Sequence, residues 1–257
     1  MLRAVGVFVA FLGLCAQAQA DCRQALALGL DVSGSVDLRE YRMQLDGVVT
    51  ALNDDGVVRA LLSRPDAPIS LLIFEWSGPE DQATLVPWTP VTSRGDIAAI
   101  SAVLAATSRR DATPGTALGE AMSVGVAYLA QQPGCARHTL DLSGDGKSNL
   151  GPRPRDVKAS VAASGVTVNG LVIGTEARRT GEGRMGEIAE LSAYFRAEVI
   201  VGPDAFVETA LGYEAYAEAM TRKLRRELDG ELVSRLDLPG DARLVAADED
   251  AVAPERQ

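Results

Sequence analysis

The sequence predicts an α/β domain, a doubly wound and mainly parallel sheet with helices on both faces and one short antiparallel edge strand. Three observations point there. Short apolar runs alternate with helix-period segments from Gln24 to Leu228. Several of those runs are apolar throughout, as strands covered on both faces are. The composition, 47% hydrophobic and 23% charged, is ordinary for a globular chain and excludes collagen, a disordered chain and a multi-span membrane protein. A length of 257 residues holds one such domain with a small appendage.

Gln24–Asp31 is an apolar run ending in a carboxylate and reads as the first strand. Val36–Leu62 follows as a helix, with Leu38, Tyr41, Leu45, Val48, Val49 and Leu52 at helical spacing. A proline-bounded turn, Arg64–Pro68, leads to a buried strand at Ile69–Trp76 and a shorter one at Ala83–Trp88, which Pro87 and Pro90 restrict to an edge. Ser93 caps a helix ending at Thr107, and beyond the Asp111–Gly115 turn another spans Thr116–Gln131. Arg137–Leu142 is the next strand, Arg155–Ala163 a short helix behind Pro152 and Pro154, and Val166–Ile173 a β-branched strand. Glu182–Leu191 reads as helix and Phe195–Val201 as the last strand. Asp204–Leu228 reads as a long helix, capped by Asp204, with Phe206, Ala210, Tyr213, Ala217, Met220 and Leu224 on one stripe. Residues 21–228 are thus one domain. Asp229–Gln257, with Pro239, Pro254 and the run Asp248-Glu249-Asp250, lacks periodicity and reads as a disordered acidic tail.

Arg3, the apolar run Ala4–Ala16 and Ala18-Gln19-Ala20 form the n-region, h-region and cleavage site of a secretory signal over residues 1–20. The run is too short to span a bilayer comfortably. Cys15 is a passenger in it, because Leu14 is too bulky for a lipoprotein cleavage box. The expected location is periplasmic or secreted. A net charge of −10, one unit more negative once Arg3 leaves, disfavours nucleic acid and anionic lipid as partners. Cleavage leaves Cys22 and Cys135, an even pair in an oxidising compartment. A disulfide is the expected reading over a metal site, with two unrelated thiols the alternative.

In a doubly wound sheet, ligands bind at the carboxyl ends of the strands. At the first of these ends stands Asp31-Val32-Ser33-Gly34-Ser35. Thr113-Pro114-Gly115-Thr116 opens a later helix, and Leu142-Ser143-Gly144-Asp145-Gly146 closes a later strand. Oxygen ligands from three loops at one edge suit a hard divalent cation such as Mg²⁺, which two carboxylates would neutralise.

Asp31, Ser33, Ser35, Thr116 and Asp145 resemble the metal-ion-dependent adhesion site of the von Willebrand factor A domain family. That pattern is Asp-x-Ser-x-Ser, a distant Thr and an Asp in a (Thr/Ser)-Asp-Gly turn. Order and spacing agree: Thr116 lies 85 residues after Asp31 and Asp145 a further 29 on. The chain also looks like a secreted bacterial branch of this family known only as a domain of unknown function. The departure is Gly144, where the family carries Thr or Ser, with Ser143 one place earlier a possible substitute. The resemblance implies that Ser33, Ser35 and Thr116 are direct ligands of Mg²⁺ or Mn²⁺, with Asp31 and Asp145 direct or water-bridged. An open sixth position would take an Asp or Glu of a partner protein or peptide. It also implies that the strands ending at Asp31 and near Asp145 are neighbours. Cys22 lies nine residues before the first carboxylate and Cys135 ten before the second, so the thiols would sit at matching heights about 4.8 Å apart, within disulfide reach. Trp76, at the end of the second strand, is a candidate for a recognition rim, with a core position the alternative.

Other chemistries fit less well. His138, the single histidine, lies seven residues before Asp145, roughly 20 Å from the ligand edge at strand rise, which argues against a Ser-His-Asp hydrolase. Ser33 is in no Gly-x-Ser-x-Gly elbow, and aspartyl-phosphate chemistry would need Asp-x-Asp where Ser33 holds the second place. Gly146-Lys147-Ser148 lacks the earlier glycine of a P-loop. The Gly-x-Gly-x-x-Gly at Gly181–Gly186 starts eight residues after its strand rather than directly. The expected function is therefore an exported, non-enzymatic binding module for a protein carboxylate. The alternatives are a metal-dependent hydrolase using Glu75 or Glu120 as base, and a scaffold whose metal site is vestigial.

Overall fold

Alternation along the first strand decides how the sheet is covered. In β1 (Gln24–Asp31), Leu26, Leu28 and Leu30 enter one apolar core, while Ala25 and Ala27 enter the other. Gly29 completes the small-residue face, where a Cβ would lie 2.7 Å from both Leu142 and Phe74. This arrangement comes from a computed structural model, which describes residues 22–174 and 182–236. The signal segment 1–20, Gly181 and the tail from residue 237 lie outside the described residues.

After β1 come α1 (Leu38–Leu52), α2 (Asp55–Leu61), β2 (Ile69–Trp76), β3 (Gln82–Val91) and α3 (Arg94–Ala106). They are followed by α4 (Leu118–Leu129), β4 (His138–Gly144), α5 (Pro154–Ala163), β5 (Thr167–Ile173), α6 (Glu182–Tyr194), β6 (Val207–Ala210) and α7 (Tyr216–Leu236). The strand order is β3-β2-β1-β4-β5-β6, and only the β2–β3 pair is antiparallel. One core takes apolar residues of α1, α2, α3 and α7, the other those of α4, α5 and α6. The chain is thus a doubly wound α/β sheet. Because β1 and β4 are neighbours, Cys22 and Cys135 meet just before them and form a disulfide, their Cα atoms 4.5 Å apart.

Four readings need correction. The helix expected over Val36–Leu62 is two helices, because Asp54 accepts from the Gly56 and Val57 amides and starts α2 as a new N-cap. The edge strand is not short: β3 has ten residues, with Pro87 in a register shift against β2 and Pro90 paired with Ser70 on the edge strand. Phe195–Val199 is a π-helical turn continuing α6 rather than a strand, with Phe195 packed where a Cβ on Gly170 would stand. The last strand is Val207–Ala210, and α7 begins only at Tyr216. Gly202 and Asp204 both hold positive φ, 98° and 61°, so the chain turns there and Asp204 caps no helix. At its other end α7 passes the expected boundary at residue 228 and reaches Leu236.

Candidate metal centre

The carboxyl end of β1 delivers Asp31 into a wholly buried position, and the next turn folds back on it: the Ser33 amide donates to Asp31 Oδ1 at 2.8 Å. Ser33 Oγ lies 3.2 Å from Ser35 Oγ, which donates to Asp145 Oδ1 at 2.7 Å. Four of the five expected residues are therefore linked across two neighbouring strand ends. The third loop is tied to the first by the Gly34 amide, which donates to the Pro114 carbonyl at 3.0 Å. Thr116 stands on it, buried, its amide donating to Asn149 Oδ1 at 2.8 Å and its carbonyl accepting from the Asn149 amide at 2.9 Å.

Three supporting residues carry no signature in the sequence. Tyr213 donates its hydroxyl to Asp145 Oδ2 at 3.3 Å. Arg109 donates to the Val32 carbonyl at 3.0 Å and the Ser33 carbonyl at 3.3 Å, which pins the turn from outside. Gln44 Nε2 donates to the Asp31 carbonyl at 3.0 Å. Their partners lie on distant parts of the chain, so only the folded structure reveals them.

The electrostatics are those of a site short of positive charge. Burial first, and the neighbouring Asp145 charge second, push the Asp31 carboxyl up to about 7. Burial also raises Asp145, and it raises Tyr213 with help from both carboxylates. Asp31 Oδ2 is buried with no hydrogen-bond partner. Among the described residues no group of three or more His, Cys, Asp or Glu forms a metal-ligand cluster. What this site offers instead is two carboxylates and the hydroxyls of Ser33 and Ser35, with Thr116 on the adjoining loop. An orphaned carboxylate oxygen beside hydroxyl oxygens fits a hard divalent cation, which would hold both carboxylates ionised.

Gly144 stands in close quarters with Asp31. A Cβ there would stand 3.2 Å from Asp31 Oδ2, 3.5 Å from Phe195 Cζ and 3.6 Å from Trp76 Cζ2. Ser143 is no substitute, since its hydroxyl points to the other side and meets Tyr216 OH at 3.0 Å. Trp76 is wholly buried in the core rather than on a rim, and its ring would be in ordinary contact with a Cβ at residue 144. Gly144→Thr is expected to overpack this corner and cost about 1–3 kcal/mol. Thermal unfolding of the variant checks this, and an unchanged midpoint would show that the corner yields.

Solved structures of the same fold include the pilus adhesin SpaC from Lactobacillus rhamnosus GG in its open conformation (14% identity, TM-score 0.56, 81% of this chain and 30% of that one). Others are proximal thread matrix protein 1 from the mussel byssus (14%, 0.54, 81% and 47%) and a von Willebrand factor type A protein from Catenulispora acidiphila (16%, 0.53, 80% and 43%). The chain spans less than half the length of each of these. No curated protein matches the sequence. Sheet order and these likenesses define the class as a von Willebrand factor A-like fold. The chain itself belongs to the family described as "Protein of unknown function (DUF1194)", whose profile matches residues 21–232.

Proposed function

We propose that the protein is an exported binding module that captures a protein or peptide carboxylate through Mg²⁺ or Mn²⁺ held by Asp31, Ser33, Ser35, Thr116 and Asp145. The observation that carries this reading is the buried, partnerless Asp31 Oδ2 beside the Ser33–Ser35–Asp145 chain of hydrogen bonds. A bound cation supplies a positive charge with an open position for a partner's carboxylate, and no covalent chemistry is needed. The presence of a pilus adhesin among proteins of this fold supports a binding role. Hydrolysis finds less support, because Glu75 is held on both oxygens, by the Tyr41 hydroxyl and by Arg110 Nε, and is no free base. Among the described residues no helix is long and apolar enough to cross a membrane.

The test is thermal unfolding of chelator-treated protein titrated with Mg²⁺, Mn²⁺ and Ca²⁺, beside Asp145→Ala. A cation at one hundred times its Kd stabilises by about 2.7 kcal/mol, a rise of roughly 5–10 °C for a domain of this size. The rise should vanish in the variant. If the native protein does not respond up to millimolar cation, the proposal loses its mechanism.

A further inference from the structure

Five large apolar side chains are exposed among the described residues, and four of them lie on segments that adjoin or contact residues of the candidate centre or of the cleft beside it. Leu38, 72% exposed, opens α1 directly after the β1 turn. Leu150, 41% exposed, packs against Gly115, and its amide lies 3.4 Å from the Thr116 carbonyl. Leu211 is two residues from Tyr213, which touches Asp145. Met185 sits three residues before Ile188 on α6 and so shares its face. The fifth, Val103, is on α3, which packs on β3 at the far edge of the sheet.

Beside Asp145 opens a cleft of about 230 Å³, walled by Ile173, Ile188 and Leu191 and rimmed by Lys147, Glu187 and Glu190. That volume is below the ~300–1,000 Å³ of small-molecule sites, so it suits one aliphatic side chain better than a cofactor. Lys147 is already engaged, by Glu190 at 2.5 Å and by the Tyr194 ring at 5.8 Å, so the cleft is not built to neutralise an anion. The rim carboxylates and the chain's net charge of −10 oppose a polyacidic segment.

We infer that this face takes a protein segment in which a single Asp or Glu, directed at the cation, stands next to an aliphatic residue that fills the cleft. Leu38, Leu150, Met185 and Leu211 then pack on neutral neighbours of that pair. The inference rests on the proposed cation site and adds to it the chemistry of the partner. An apolar border around a single ionic contact also gives specificity, since a polar neighbour of the carboxylate would be desolvated without a partner.

The experiment is selection of displayed short peptides with a fixed central Asp on the full chain, in millimolar Mn²⁺ and in chelator. The expected result is cation-dependent enrichment of Leu, Ile, Val or Met beside the Asp. A synthetic peptide of that consensus should then bind Leu150→Asp and Met185→Asp roughly ten-fold more weakly each, and Val103→Asp unchanged. Cation-dependent selection without an aliphatic preference overturns the inference and leaves the cation site standing. Selection that ignores the cation, or no selection, overturns both. Binding unaffected by the Leu150 and Met185 changes also overturns the surface assigned here.

Discussion

Replacing both Cys22 and Cys135 with Ala is expected to destabilise the protein by about 4–5 kcal/mol and to lower its melting temperature by about 10–15 °C. The bridge closes a loop of 113 residues and joins the beginnings of β1 and β4, two adjacent strands of the six-stranded sheet. Chain entropy accounts for most of that figure, because a loop this long leaves the unfolded chain many more arrangements when open. Next to the bridge the Ala136 amide donates to the Cys22 carbonyl at 2.9 Å, so backbone pairing continues to the very start of β1. Unfolding with and without reductant provides the internal check: the native protein should lose stability on reduction and the double variant should not change. Equal midpoints for native protein and variant would show that the bridge adds nothing.

Lys223→Met is expected to cost about 3–5 kcal/mol at neutral pH, a loss of the same order. Lys223 is wholly buried on α7 and pairs with Asp141 of β4 and with Glu227 at 2.9 Å. Asn169 Nδ2 also donates to Glu227 Oε1. Methionine keeps the bulk of the side chain but leaves two carboxylates facing each other without a cation. Burial first, and the Asp141 charge second, already hold Glu227 well above the usual carboxylate range, whereas the two carboxylates raise Lys223 against the opposing effect of its burial. The sign with pH follows. An acid whose folded value is raised binds its proton more tightly folded than unfolded, so its contribution is full below the ordinary carboxylate value and is lost as pH rises through the folded one. Removing Lys223 takes away the charge that lowers Glu227 and so raises it further. The variant should therefore be nearest to native stability around pH 5 and fall away toward pH 8, as denaturant titrations at several pH values will read. A deficit independent of pH would assign the loss to packing rather than to charge.

Strands covered on both faces were the most legible part of the chain. β1 and β2 match their expected bounds residue for residue, and every residue in both is buried. Their apolar runs are interrupted by little that could be mistaken for a turn. The segment from Phe195 to Tyr213 folds differently from what its local pattern predicts. FRAEV has the β-branched and aromatic content of a strand, yet it winds as a π-helical turn because Gly170 leaves a space that Phe195 fills. The stripe from Phe206 to Tyr213 has helical spacing by coincidence, while VETA pairs with β5 as the last strand. Such short segments satisfy either period, and tertiary contact decides between them.

At the centre, the Asp-x-Ser-x-Ser run and the two later loops were readable because oxygen-rich turns at strand ends are local features. Asp31, Ser33, Ser35 and Asp145 do come together, with Thr116 on the adjoining loop. The contacts that hold them were not readable. Tyr213 reaches Asp145 across 68 residues of sequence, and Arg109 reaches the Ser33 carbonyl across 76. Nor does the sequence tell that Trp76 faces inward.

The bounds of β1 and β2 and the cap at Ser93 are encoded within a few residues, so the chain alone settles them. The partnerless oxygen of Asp31, the cleft beside Asp145 and the Asp141–Lys223–Glu227 cluster depend on which distant side chains share one buried space. Burial strengthens or penalises charge only once that space has closed, and closing it is the work of the whole sheet and both layers of helices.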